Sequence, residues 1–174
     1  GLVGAGGLAR WAHPEFGLLS PAAFLDLALV SESSVPFALK MIDHAARMIR
    51  RLVDLGQPIP IAANIAMGTL RDGHFAAALL DTLARHGVSP ELLVLELTES
   101  DPLWPNPIVL SGLQSLVDAG VRLSIDDFGT GHSTLDRLRS IKVHELKIDR
   151  SFVAGMVDDE LQCEIVRSIV GLAQ

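Results

Sequence analysis

The feature that most constrains this chain is a repeated alternation between short apolar runs and longer segments with apolar residues at helical spacing. From Gln57 onward the alternation occurs four times, a pattern typical of βα units that form a parallel sheet. The predicted strands are rich in Val, Leu and Ile and short enough to be buried on both faces. They cover residues 59–64, 92–97, 121–125 and 145–148.

The helices are predicted from the same periodicity and from the glycines that end them. Gly87 and Gly120 lie where a helix needs a C-cap. The helices that follow the strands cover residues 75–86, 109–119, 133–140 and 159–172. Upstream, the pattern predicts a strand over 2–8, a loop through His13-Pro14 and Gly17, a short helix near 21–28 and a core-facing helix over 35–55.

Strand and helix alternation of this kind fits either an open doubly wound sheet or a (β/α)8 barrel, and a complete barrel takes about 250 residues. The chain has 174 residues, the length of a single domain. We therefore expect one α/β domain over residues 1–174 that forms a TIM-like (β/α) barrel. The barrel is expected to be incomplete, truncated at both ends, with a first strand and the last two strands missing.

Composition excludes several classes of function. Lys and Arg number 14 against 21 Asp and Glu, a net charge of −7 that argues against DNA binding, since a nucleic-acid groove needs clustered basic charge. Cys163 is the only cysteine, so disulfide frameworks and four-cysteine zinc sites are excluded and a cytoplasmic location is expected. No apolar run reaches the roughly 18 residues of a membrane span, so no membrane contact is expected of this segment.

Polar side chains lie where each predicted strand ends. They are Asn64 on the first of the four strands, Glu96 and Glu99 on the second, Asp126 and Asp127 on the third, and Lys147 and Asp149 on the fourth. In a parallel barrel the C-terminal strand ends share the face where active sites are built, so we expect these side chains to converge. A single acidic residue is more often a helix cap or a solvated loop residue, but four successive strands with the same pattern favour a site.

The residue types at these strand ends indicate metal-dependent chemistry on a phosphoester. Oxygen ligands without cysteine favour Mg²⁺ or Mn²⁺, singly or as a pair that shares a carboxylate. Neighbouring Asp126 and Asp127 reach one site only at the end of a strand, where Gly129-Thr130-Gly131 supplies a turn that is equally typical of ordinary loops. Lys147 on a buried strand must be paired or belong to a site. A barrel enzyme that abstracts a proton through Lys147 fits the same chemistry.

At these residues the sequence resembles the EAL domains, a family that binds or hydrolyses the bacterial messenger cyclic di-GMP. The match includes Asp-Asp-Phe-Gly-Thr-Gly at 126–131 followed by Leu-Lys-Ile-Asp at 146–149, a combination highly specific to the family. The other matching stretches are 4–11 with His13-Pro14, 63–65 and 95–100. The resemblance therefore spans almost the entire chain.

The resemblance implies a TIM-like barrel in which two metal ions activate a water that opens one phosphodiester to give linear pGpG. It implies that Asn64, Glu96 and Asp126 ligate one Mg²⁺ or Mn²⁺ and that Asp127 serves the second. It implies catalytic roles for Lys147, which would hold the water or the phosphate, and for Glu99, which would brace the loop after the two aspartates. It further implies ligand contacts by Leu8, Arg10 and Asp149, and either a homodimer or a neighbouring GGDEF or sensory domain as partner.

One departure from the family pattern bears on catalysis. Gly6-Gly7-Leu8 stands where the family has Glu-Ala-Leu, so a residue without a side chain replaces a metal-ligating glutamate. Loss of a residue that only supports a metal ligand costs about 10- to 100-fold in affinity or activity, so loss of a ligand should cost at least as much. Gly6 favours a degenerate module that binds cyclic di-GMP as a receptor, and the other retained residues favour a working phosphodiesterase. Of the two, we expect the receptor.

Overall fold

The computed structural model describes residues 4–7, 9–20, 23–24, 34–98, 106–129, 141–156 and 159–172. Its strands are Ala5–Gly7 (β1), Trp11–His13 (β2), Gly17–Leu19 (β3), Ile61–Asn64 (β4), Leu93–Thr98 (β5), Arg122–Phe128 (β6) and Glu145–Ile148 (β7). Five of them form one sheet in the order β1-β4-β5-β6-β7, and every neighbouring pair is parallel. This half-barrel confirms the predicted α/β class and the incomplete TIM-like topology.

The α-helices in the described part of the chain are Ser34–Asp54 (α1), Phe75–Arg85 (α2), Pro107–Asp118 (α3), Arg150–Gly155 (α4) and Glu160–Leu172 (α5). Short 3-10 helices cover Met67–Arg71 and Pro90–Leu92. Helix α3 begins two residues before the predicted start because the Asn106 side chain accepts hydrogen bonds from the N–H groups of Ile108 and Val109, at 2.9 and 3.3 Å. None of these helices is both long and apolar enough to cross a membrane.

The core lies between the sheet and helices α1 to α3. On β5, the alternate residues Leu93, Leu95 and Leu97 are buried in this core. Because side chains on a strand alternate between its two faces, Glu96 lies on the opposite face, toward the barrel interior. The helical side of the same core includes Ile42, Ile49, Leu79, Leu83, Leu113 and Leu116.

Three predictions about the strands need correction. Strand β7 is not buried on both faces, since Glu145 is exposed and the next three residues are half-buried; within the described sheet β7 pairs with β6 alone. Strand β6 continues three residues past Ile125 because a bulge extends its pairing with β7. The predicted loop through His13-Pro14 and Gly17 is an antiparallel hairpin of β2 and β3. The predicted helix over 133–140 and most of that near 21–28 lie outside the described residues.

Candidate functional site

The centre of the candidate site is the carboxylate of Glu96, which has a partner at each oxygen. Asn64 and Glu96 are paired in register on β4 and β5, and Nδ2 of Asn64 donates a hydrogen bond to Oε2 of Glu96 at 2.9 Å. Nζ of Lys147, on β7, donates to Oε1 of the same carboxylate. The Glu96 side chain is only 6% exposed, so its negative charge depends on these two donors.

Lys147 is paired, as its position on the sheet predicted. Burial by itself lowers the pKa of Lys147, but the hydrogen bond and charge of Glu96, together with the charges of Asp126 and Glu145, outweigh burial and raise that pKa above its ordinary value. The amine is therefore a fixed ammonium at neutral pH. It faces a set of carboxylates rather than solvent alone.

Asp126 and Asp127 both lie opposite Lys147 because of the bulge in β6. Ile125 pairs with Leu146 and Phe128 pairs with Ile148, so two residues of β6 face one residue of β7. A bulge of this kind changes the direction of a side chain at the end of a strand. It brings two consecutive carboxylates to one lysine, which regular strand pairing does not do.

The backbone conformation of Asp127 is part of the bulge in β6. Asp127 has a φ of 55°, a left-handed conformation that Asp tolerates better than most residues, and its N–H donates to Oδ1 of Asp126 at 3.1 Å. Burial, followed by the charges of Asp126 and Asp149, raises the pKa of the Asp127 carboxyl. The two aspartates are thus held close enough to repel each other.

The turn after Asp127 requires a glycine. Gly129 has a φ of 103°, and a Cβ atom there would lie 2.9 Å from Cε2 of Phe152, a residue of α4. No other residue type fits that space without displacing the ring. Helix α4 therefore fixes the turn that follows the two aspartates.

Asp149 serves as the N-cap of α4. Its Oδ1 accepts hydrogen bonds from the Ser151 N–H at 2.8 Å and from the Ser151 hydroxyl. These bonds hold the pKa of the Asp149 carboxyl below its ordinary value. The capping role is observed, and the ligand contact expected of Asp149 stays a prediction.

The donors at this site suit a divalent metal in type but are few. In the described ranges, no three side chains of His, Cys, Asp or Glu lie close enough together to hold a metal ion. The oxygen-bearing groups of the site are Glu96, Asp126, Asp127 and the amide of Asn64, and such ligands are the ones that Mg²⁺ and Mn²⁺ prefer. Each oxygen of Glu96 accepts one hydrogen bond, from Lys147 or from Asn64, and keeps a second lone pair for a metal ion.

A family model described as EAL domain matches residues 1–174. The chain belongs to the EAL domain family. Among curated relatives of this EAL domain, the bifunctional diguanylate cyclase/cyclic di-GMP phosphodiesterase MucR of Pseudomonas aeruginosa is 36% identical over 174 residues, which are 99% of this chain and 25% of MucR. The cyclic di-GMP phosphodiesterase RocR of the same organism is 33% identical over 174 residues, 100% of this chain and 44% of RocR. The EAL domain thus spans less than half the length of either relative.

Solved structures agree with this assignment. The PaMucR phosphodiesterase, in a c-di-GMP complex, superimposes on this EAL domain with a TM-score of 0.87 at 36% identity, covering 98% of this chain and 69% of that one. An EAL domain protein from Listeria monocytogenes EGD-e gives a TM-score of 0.76 at 31% identity, covering 97% of this chain and 65% of the other. The half-barrel described above is therefore the EAL fold.

In this EAL domain, Gly6 lies at the position where the resemblance predicts the glutamate for which the family is named. It lies on β1 in register with Ala62, and, its chain neighbours apart, no heavy atom of the described residues lies within 4 Å of the position its Cβ would occupy. Space for a larger side chain is therefore present, and the side chain is not.

Arg10 is exposed, and its guanidinium donates to the carbonyl of the adjacent Ala9 at 2.8 Å. Leu8 and Glu99 lie outside the described residues, so their expected roles stay predictions.

Ser124 is a site neighbour that the sequence analysis did not single out. It is fully buried on β6, pairs in register with Glu96, and its Oγ has no hydrogen-bond partner among the described residues. Because it precedes Asp126 by two residues, it lies on the same face of the strand. That alternation was the signal available in the sequence.

Proposed function

We propose that this EAL domain binds cyclic di-GMP and hydrolyses it weakly or not at all. The observation that carries the proposal is Gly6, which leaves the end of β1 without a carboxylate while the space for one stays open. The Lys147 ammonium on Glu96 supports the same conclusion, since it already neutralises the buried carboxylate that a metal would otherwise balance.

Binding is supported by the cations that the domain retains near the strand ends. A cyclic dinucleotide carries two phosphodiester anions, and a chain of net charge −7 must meet them locally. The exposed guanidinium of Arg10 and the ammonium of Lys147 are suitable donors, the former as a flat two-pronged group and the latter as a point charge. The relative whose structure holds c-di-GMP shares this fold at 36% identity, which makes that dinucleotide the first ligand to test.

A divalent ion, if bound, would be held by Asn64, Glu96 and Asp126, with Asp127 serving a second one. Mg²⁺ or Mn²⁺ in that position would supply Lewis-acid stabilisation of charge on a phosphodiester oxygen. Lys147 would keep its proton on Nζ, because its raised pKa makes it a poor base, and would stabilise the same charge by a hydrogen bond. With Gly6 the ligand set is one carboxylate short, so metal is expected to bind weakly.

The alternative function is an active cyclic di-GMP phosphodiesterase that gives pGpG. The retained identities of Asn64, Glu96, Asp126, Asp127 and Lys147 favour it. We further propose that the domain works within a longer protein, beside a GGDEF or sensory domain. The coverage of the bifunctional relative MucR supports this, since the chain matches only a quarter of its length.

The experiment combines calorimetry with a hydrolysis assay on the 174-residue chain. We expect heat of binding with cyclic di-GMP, both with Mg²⁺ and with EDTA, and no accumulation of pGpG beyond a trace when Mg²⁺ or Mn²⁺ is present. The variant Arg10→Ala should bind more weakly, and a single-stranded DNA oligonucleotide should give no heat. If cyclic di-GMP gives no heat under either condition, the binding proposal is wrong, whereas rapid formation of pGpG would support the alternative.

A further inference from the structure

The β2–β3 hairpin needs support that its own strands do not supply. Each strand has three residues, and among the described strands the two pair only with each other. A two-stranded hairpin of this size is marginal in water. Arg10 immediately precedes β2, and its exposed side chain donates to the adjacent Ala9 carbonyl. The position of this guanidinium therefore depends on what holds the hairpin.

The imidazole of His13 closes the hairpin turn. Its Nδ1 accepts hydrogen bonds from the backbone N–H groups of Glu15 at 3.1 Å and of Phe16 at 3.3 Å. Gly17, the first residue of β3, follows with a φ of 69°, a left-handed conformation that glycine adopts without strain. A ring nitrogen that accepts these bonds carries no proton, so the ring must be neutral with its proton on Nε2.

The same ring connects the turn to the body of the protein through aromatic contacts. Its centroid lies 4.7 Å from that of Trp11 and 4.8 Å from that of Phe16. Trp11 contacts the buried Phe24 at 5.9 Å, and Phe24 contacts Phe37 of α1 at 6.0 Å. The five rings form a row from the turn to α1. Among them, His13 is the ring with a hydrogen-bond acceptor.

We propose that His13 is a positioning residue for the anionic ligand: by accepting the two turn N–H groups it fixes the hairpin and, through β2, the direction of Arg10. The ligand part of this inference rests on the proposed function, in which Arg10 meets a phosphate of cyclic di-GMP. The hairpin part rests on the contacts of His13 alone. The two parts can be measured separately.

Three substitutions separate the acceptor from the ring. His13→Asn removes the ring but keeps an acceptor, because Oδ1 of Asn is bonded to Cγ just as Nδ1 of His is, and Asn commonly accepts from the backbone two residues on. His13→Phe keeps the aromatic ring and removes the acceptor. His13→Ala removes both. His74→Ala is the matched control, since His74 is exposed and its side chain makes no cap hydrogen bond at the start of α2.

The first measurement is hydrogen exchange of the Glu15 and Phe16 amides, which needs no ligand. We expect exchange about three- to tenfold faster in His13→Phe and His13→Ala, the effect of losing one or two net hydrogen bonds, and near the wild-type rate in His13→Asn. The second measurement is the affinity for cyclic di-GMP by calorimetry. It should fall by about the same factor in the Phe and Ala variants and recover in the Asn variant.

The contrary results are equally specific. Wild-type exchange and affinity in His13→Phe, with losses in His13→Asn, would show that ring packing supports the hairpin, and the inference would be wrong. Faster exchange with unchanged affinity would confirm the turn contact and refute its role in positioning Arg10. If the wild-type chain does not bind cyclic di-GMP, the proposed function and the ligand part fail together, while the exchange rates still decide what closes the turn.

Discussion

Lys147 on β7 reaches past β6 to bind the buried carboxylate of Glu96 on β5. The two residues are not on neighbouring strands, so their ion pair joins three strands at the site. Asn64 extends the same connection to β4 through the other oxygen of Glu96. The stability of the site and its charge are thus determined by one carboxylate and its two donors.

Substitution of Lys147 should show how much its ion pair with Glu96 contributes to the free energy of unfolding. We expect Lys147→Met to lower the free energy of unfolding by about 1 to 3 kcal/mol, because it leaves a buried carboxylate without one of its donors. Adding Glu96→Gln in the double variant should recover part of that loss, since the uncompensated charge is gone. Urea unfolding measures both. Lys142→Met, at an exposed lysine nearby in sequence, is the control, and an equal effect of the two single variants would contradict the prediction.

The sequence predicted which strands hold the residues of this site, but not the bulge in β6 that brings Asp126 and Asp127 to Lys147. Strands β4, β5 and β7 begin and end within two residues of the predicted positions. The apolar residues of β4 and β5 mark the buried core, whereas β7 has the predicted bounds although its residues are exposed or half-buried. The pairing of Lys147 followed from the cost of burying an ammonium. The bulge that directs Asp126 and Asp127 to Lys147 was not predictable, since it depends on the register of β6 against a strand far along the chain.

The hairpin was missed for a related reason. Its strands have three residues each, too few to show alternation. Pro14 in the turn and Gly17 at the start of β3 are as common in open loops as in hairpins. What stabilises it, the acceptor of His13 and the row of aromatic rings, consists of side-chain contacts that periodicity does not reveal.

A carboxylate at position 6 should strengthen metal binding. Gly6→Glu is expected to raise the affinity for Mn²⁺ and the rate of hydrolysis to pGpG by at least about tenfold. The open space around Gly6 lets the new side chain enter without displacing a neighbour at its Cβ. Gly6→Gln, of nearly the same size but without charge, separates the carboxylate from the added bulk. A wild-type chain that already hydrolyses cyclic di-GMP at the rate of the Glu variant would show that Gly6 is no defect.

The left-handed backbone of Asp127 permits a clean test of its carboxylate. Asp127→Asn should remove the charge and keep the fold, because Asn tolerates a φ of 55° as well as Asp does and no longer repels Asp126. Asp127→Ala should lose the same charge and also about 1 kcal/mol of stability, the cost of a left-handed conformation for a residue with a Cβ and no polar side chain. Thermal unfolding compares the two. Equal melting temperatures would mean that the turn does not constrain this residue.

His144 should make stability depend on pH. The backbone N–H of His144 donates to the Leu123 carbonyl at 2.9 Å, and the neutral Nδ1 of its ring accepts from the Leu123 backbone N–H at 3.2 Å. Partial burial, with the charges of Lys142 and Arg122, lowers the pKa of His144. A group whose pKa is lower in the folded state contributes stability that is fully present above its unfolded pKa, about 6.5, and is lost as pH falls through the folded value.

The measurement is urea unfolding at pH values from about 7.5 to about 5, which begin above the unfolded pKa of histidine, about 6.5, and extend below it. We expect the free energy of unfolding to fall less steeply in His144→Asn than in the wild type, because the Asn oxygen can accept the same N–H without titrating. The difference between the two profiles removes the contribution of the other histidines. Parallel profiles would show that protonation of His144 does not affect the β6–β7 pairing.

The two-against-one pairing of β6 with β7 also limits how this segment can change during evolution. Deleting either aspartate would let the strands pair regularly, but only one carboxylate would then face Lys147. Inserting a residue earlier in β6 would turn Leu123 and Ile125 out of the core and into the barrel interior. The length of this segment should therefore be as invariant among descendants of this gene as the identity of its residues, and alignments that place gaps between Arg122 and Phe128 should mark domains that have lost the site.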